Sequence, residues 1–201
     1  MSGFQRHEGF TLLELIVTII ILAIVAAYAV PSFRETVLNN RLTAQVNEVS
    51  SLIAYARSEA SKLQNGVVTA CASTDSASCS GNAAWETGWI IFNDFDGDRS
   101  VDNGDGDEIL KVGGALSGGN SFRIVDLTSD SGGFVQFASN GFPIPSATGN
   151  TAGTFVICDE RGAQRARAVV VNVSGQTRLA RDTGGTAGVL NDHDNADVTC
   201  P

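Results

Sequence analysis

Three groups of residues in this sequence have the types and spacing for chemistry. The segment from Asp94 to Glu108 carries seven acidic groups in 15 residues, namely Asp94, Asp96, Asp98, Asp102, Asp105, Asp107 and Glu108, interleaved with glycines. Oxygen ligands at alternate positions with glycines for tight turns suit calcium, and Asp94, Asp96, Asp98 and Asp102 are the candidate ligands. The spacing departs from the EF-hand loop, where the glycine follows the third ligand and a glutamate closes the set, so a solvated acidic hairpin loop is the competing reading. The second group is basic. Arg161, Arg165, Arg167, Arg178 and Arg181 are five of the 13 Lys and Arg residues and fall within 21 positions, with no acidic residue among them. Arginine grips phosphate through two parallel hydrogen bonds, which makes Arg161, Arg165, Arg167 and Arg178 candidate DNA contacts. On a strand, Arg165 and Arg167 share a face. The alternative is a hydrated strand-and-turn surface.

The third group is the cysteines, Cys71, Cys79, Cys158 and Cys200, which allow three pairings. No C-x-x-C pair is present, so zinc or dithiol chemistry has weak support. A body outside the cytoplasm favours two disulfides. The preferred set is Cys71–Cys79, closing a short Ser/Ala-rich loop, and Cys158–Cys200, pinning the C-terminal tail. No nucleophile-plus-base arrangement stands out beside them. The histidines are His7 and His193, and His193 lies among Asp192, Asp194 and Asp197 in what reads as a solvated tail. Trp85, Trp89 and Phe142 read as core or loop anchors. The chain is therefore expected not to be an enzyme, and apart from calcium no cofactor is expected.

The elements that must position these groups begin with residues 10–30, FTLLELIVTIIILAIVAAYAV, an almost wholly apolar run with Glu14 as its one ionisable residue. About 20 such residues span a bilayer as a helix. A short polar segment precedes the run and no convincing cleavage site follows it, the reverse of a secretory signal. Leu38, Leu42, Val46, Val49, Ile53, Ala56, Ala60 and Leu63 continue at steps of three and four, so residues 31–65 are predicted as an amphipathic continuation ending near Gln64. Pro31 is predicted to kink or loosen that helix. From residue 66 to 201, short runs rich in Val, Ile and Phe alternate with turn formers. Strands are predicted at Gly66–Cys71, Gly88–Asn93, Glu108–Val112, Phe122–Val125, Phe134–Phe137, Thr154–Cys158, Ala168–Val173 and Thr177–Arg181. The fold class is α+β: a long N-terminal helix packed on an antiparallel β-sheet domain. With 201 residues, 43% apolar and 17% charged, the chain suits one globular domain plus an extra element and is not disordered. Its net charge of −9 makes any nucleic-acid contact a local exception.

Gly9-Phe10-Thr11-Leu12-Leu13-Glu14 opening an apolar span resembles the signature of type IV pilins and type II secretion pseudopilins. The resemblance implies a pilin fold, removal of the leader 1–9 by a prepilin peptidase cutting between Gly9 and Phe10, and N-methylation of Phe10. It also implies that Glu14 pairs with the new N-terminal amine of a neighbouring subunit. A lone carboxylate in hydrocarbon costs about 2.5–3.5 kcal/mol on insertion scales and is functional by default. The runs Trp89–Asp94, Glu108–Leu110, Gly153–Asp159 and Val173–Arg178 resemble the GspH/FimT group of minor pilins. That group implies other pilins and an inner-membrane assembly platform as partners. It also implies a single-pass inner-membrane location with a periplasmic body, and then a place near the fibre tip that helps initiate or cap assembly. One branch of the group resembles a DNA-uptake receptor with a Gly-Arg-x-Arg motif. Here Arg165 and Arg167 are present and the glycine, Gly162, is displaced by two residues.

Overall fold

A computed structural model describes residues 9–102, 104–127, 132–145 and 149–201. The chain divides into two compact units after Asn40. Helix α1, Leu12–Ala60, runs through the division. In the first unit its apolar side chains stand exposed, from Leu12 and Leu13 to Val30 and Phe33. The apolar part of α1 is unburied, and the helix is long and apolar enough to cross a membrane. The helix continues through Pro31, where the missing N–H leaves the carbonyl of Ala27 without its usual partner.

In the second unit α1 turns amphipathic. Leu42, Val46, Val49, Ile53, Ala56 and Ala60 are buried, as the periodicity predicted, Leu52 joins them from outside the predicted stripe, and Leu38 and Leu63 at its ends are partly buried. The helix stops four residues before the predicted end. The N–H groups of Lys62 and Leu63 bond three residues back, to Glu59 (3.0 Å) and Ala60 (3.1 Å), and this tighter turn ends the α pattern. Gly66 follows at φ +92°, where a Cβ would stand 3.0 Å from the Phe95 backbone, so glycine is needed at this bend.

Among the described residues eight antiparallel strands follow: β1 Val67–Ala72, β2 Trp89–Asp94, β3 Glu108–Gly113, β4 Ser121–Asp126, β5 Phe134–Ala138, β6 Gly153–Cys158, β7 Arg167–Val171 and β8 Thr177–Leu179. All eight lie where the apolar runs predicted them, with ends shifted by one or two residues. They form two four-stranded sheets, ordered β3-β2-β1-β5 and β4-β6-β7-β8. Both sheets contribute to one core with the buried face of α1: Ala70, Ile91 and Phe137 from the first, Phe122, Phe155, Ile157, Val169 and Val171 from the second. Trp85 joins that core, its ring 5.7 Å from Phe122 and 6.1 Å from Phe155, and its indole N–H donates to the carbonyl of Gly132. Trp89 is buried in the same core, whereas Phe142 is half exposed.

The second sheet is covered on its other face too, which is why every residue of β6 is buried rather than every second one. Val156, Cys158, Ala168 and Val170 pack there against Ala180, Val189 and Val198. The tail that supplies those residues is a built element, and the expectation of a solvated tail is corrected. Asn191 Oδ1 accepts the backbone N–H groups of Thr183 and Gly184, and its Nδ2 donates to Asp197 Oδ1 at 3.1 Å. The disulfides are Cys71–Cys79 and Cys158–Cys200, the preferred pairing. Closing a 42-residue separation, Cys158–Cys200 stabilises by about 4 kcal/mol on the chain-entropy estimate.

Candidate functional site

The start of α1 is built by a capping arrangement. Thr11 precedes the helix, and its Oγ1 accepts the Glu14 backbone N–H at 3.2 Å. This is the threonine half of a capping box, with Glu14 at the position that completes the sequence pattern. The cap fixes Glu14 in the first turn, where an anionic side chain is favoured by the helix dipole. Gly9 has open space where a Cβ would stand, and Phe10 is 83% exposed. The predicted cleavage bond thus lies in accessible chain immediately before a capped helix. The rest of the leader, His7 included, lies outside the described residues.

The acidic loop between β2 and β3 turns its carboxylates mostly toward its own backbone. Asp94 is fully buried. Its Oδ1 accepts Gly97 N–H at 2.7 Å, and its Oδ2 accepts Thr69 Oγ1 at 2.6 Å, Arg99 N–H at 3.1 Å and Gln136 Nε2 at 3.2 Å. Burial pushes the Asp94 carboxyl above the ordinary range, and these donors pull against that shift. Asp107 accepts from Phe95 and Asp102, closing the loop upon itself. Of the four predicted ligands, Asp94, Asp96 and Asp98 can bring oxygens within 4.8 Å of one another. Asp102 is outside that group and contributes its backbone N–H to Asp107 instead. A cation at Asp94 would have to displace the donors it already holds. Asn103 lies outside the described residues.

The arginines do not form one patch. Arg161 is paired with Asp159, Nη2 to Oδ2 at 2.6 Å, both side chains being largely buried. Burial of Asp159 opposes its ionisation, but the hydrogen bonds and charge of Arg161 prevail and hold its carboxyl below the ordinary range. Arg165 ends a 3₁₀ turn, Ala163–Arg165, and Arg167 opens β7, so the two do not share a strand face. Both are exposed, on either side of buried Ala166. Arg167 lines a groove of about 280 Å³ with Thr43, Asn47 and Leu179. Arg178 pairs in register with Val170, whereas Leu179 pairs with Val169. Paired residues share a face, so Arg178 lies on the tail-covered side of the sheet and Arg167 on the helix side.

His193 is the functional candidate that sequence reasoning missed. Its side chain is only 6% exposed, with Nε2 3.1 Å from Asp126 Oδ2 and 3.5 Å from Asp194 Oδ2. Its Nδ1 meets Thr154 Oγ1 at 3.2 Å, and its backbone N–H donates to the same oxygen at 2.9 Å. The available signal was Cys200, whose bond to Cys158 draws the tail onto β6.

A membrane-length helix with a capped, acid-bearing start, followed by a disulfide-bonded two-sheet body, defines the pilin class. The prokaryotic N-terminal methylation motif matches residues 5–30, and the family described as type II transport protein GspH matches residues 45–175. The chain belongs to the GspH family of pilin-like proteins. Two fimbrial proteins of Pseudomonas aeruginosa are 39% identical over 54 residues, 27% of this chain. The chain spans about a third (35%) of the length of those curated relatives. Among solved structures, the type IV minor pilin FimU of Pseudomonas aeruginosa matches with a TM-score of 0.52 at 20% identity, covering 74% of this chain and 94% of FimU, and shares its fold. The apolar helix and the motif fit a subunit anchored in the inner membrane.

Proposed function

We propose that this chain is a minor pilin or pseudopilin, a structural subunit rather than an enzyme, that helps initiate or cap a type IV pilus or type II secretion pseudopilus. A prepilin peptidase removes residues 1–9, Phe10 is methylated, and residues 10–30 hold the subunit in the inner membrane with its body in the periplasm. The assembly platform then moves it into the fibre, at or near the tip. The observation that carries this reading is an unburied apolar helix whose first turn holds a lone carboxylate beside an accessible Gly9-Phe10 bond. Because lipid is as apolar as the helix, moving it into the fibre gains little from hydrophobic burial alone, so helix packing and a partner for Glu14 are the terms that favour assembly. Mass spectrometry of chain purified from its native membrane tests it. The expected N-terminus is Phe10 carrying one methyl group, and a mature chain that retains residues 1–9 overturns the reading.

A second reading, DNA capture during uptake, is favoured by the exposure of Arg165 and Arg167. If both meet phosphates, the full chain in detergent will bind a DNA duplex in a salt-dependent manner. Replacing the pair with glutamine will then reduce the slope of log K against log salt by about 2. Absence of binding at low salt removes this reading and leaves the structural one standing.

A further inference from the structure

We infer that Asp126, His193 and Asp194 form a binding site for a divalent transition-metal ion of the zinc class, joining the end of β4 to the C-terminal tail. The three ligand atoms lie within 4.8 Å of one another. The ring nitrogen and two carboxylates suit a borderline cation better than calcium, which prefers a full shell of oxygens. Zinc–nitrogen and zinc–oxygen bonds near 2.1 Å place two ligands of a tetrahedral ion about 3.4 Å apart. The observed separations from Nε2, 3.1 Å to Asp126 and 3.5 Å to Asp194, fall on either side of that value.

The hydrogen bonding around the ring supports the same conclusion. Nε2 carries at most one proton, so two carboxylates converge on an atom that can donate to one of them. Thr154 Oγ1 faces Nδ1 and can accept a hydrogen bond from Nδ1–H, and in that tautomer the Nε2 lone pair is directed at the carboxylates. That is the arrangement of a metal-bound histidine held by an outer partner. In that tautomer a cation between the three groups offsets the repulsion between the carboxylate charge and the Nε2 lone pair. The ligands are also held in place before any ion arrives. Asp192 Oδ1 accepts the N–H groups of Asp194 and Ala196, which fixes the turn. The bridge between Asn191 and Asp197 closes the base of that turn, and the Cys158–Cys200 disulfide ties the tail to β6. Asp194 is 74% exposed, so remaining coordination positions open to water.

The test is calorimetric titration of ZnCl₂ into the full chain in detergent, with His7→Gln introduced so that His193 is the remaining histidine. One equivalent of Zn²⁺ is expected to bind and to raise the melting temperature. His193→Gln should abolish binding. Asp194→Asn, a change at an exposed side chain with little risk to folding, should weaken it at least tenfold, the lower end of what loss of even a supporting contact costs. Co²⁺ used in place of Zn²⁺ should give visible absorption bands that vanish in His193→Gln. Lack of Zn²⁺ binding by the His7→Gln chain, or binding unchanged by Asp194→Asn, overturns the assignment.

Discussion

Glu14→Gln will leave the chain processed at Gly9-Phe10 but will lower its incorporation into fibres by at least tenfold. Two effects act in the same direction. The carboxylate is costly to hold in the membrane, about 2.5–3.5 kcal/mol at mid-bilayer and less near the surface, so its removal stabilises the stored subunit. It also removes the partner proposed for the N-terminal amine of a neighbour, and losing one member of a desolvated charge pair typically costs 3–5 kcal/mol. A tenfold loss needs only about 1.4 kcal/mol. Local melting of the helix start is not the cause, because Thr11 caps the backbone N–H of residue 14, which glutamine keeps. Immunoblots of sheared fibres against the membrane fraction measure the ratio. Equal incorporation of variant and native chains removes the pairing mechanism while leaving the cleavage reading to mass spectrometry.

What the sequence made legible follows from how local each signal is. The strands were legible because each is a short β-branched or aromatic run between turn formers. Their division into two sheets was not, since β1 pairs with β5 through Val67 and Ala138, and no local pattern encodes a partner that far along the chain. The basic island shows a similar limit. The charge run from Arg161 to Arg181 leaves out Asp159, two residues earlier in the chain, which is Arg161's partner. Arg167 and Arg178 fall on opposite faces of the sheet by strand parity, which only the β7–β8 register fixes, and Arg165 lies on the turn before β7. The acidic loop was legible as a hairpin connection, but not the burial of Asp94, because its donor Thr69 lies on β1 and Gln136 on β5. His193 was hidden by its polar neighbours: three nearby aspartates suggest solvent, yet Asp192 and Asp197 serve as backbone caps inside a folded tail.

The body's stability rests most on the aromatic group where the second sheet meets α1, and Phe155→Ala is expected to cost about 3–5 kcal/mol. Phe155 is fully buried on β6, an interior strand between β4 and β7. Its ring stands 5.8 Å from Phe122 and 6.1 Å from Trp85, and Leu52, Ile53 and Ala56 of α1 belong to the same core. Truncation leaves a cavity among groups fixed on three sides. The Trp85 indole is held by its bond to Gly132, and Phe122 by its strand, so collapse into the space is limited. Each aromatic pair adds about 0.5–1.5 kcal/mol beyond area burial, and both of Phe155's pairs are lost. Against a typical total of about 5–15 kcal/mol for a domain, the loss is a large fraction. Phe142→Ala is the control, because that ring is 48% exposed and its removal should change stability by less than about 0.5 kcal/mol. Thermal melts of both full-length variants in mild detergent, with disulfides intact, compare them directly. Equal melting temperatures for the two would mean that the core is not organised around this aromatic group. A lowered Phe155→Ala melt with normal cleavage at Gly9 would separate body stability from the assembly chemistry at Glu14.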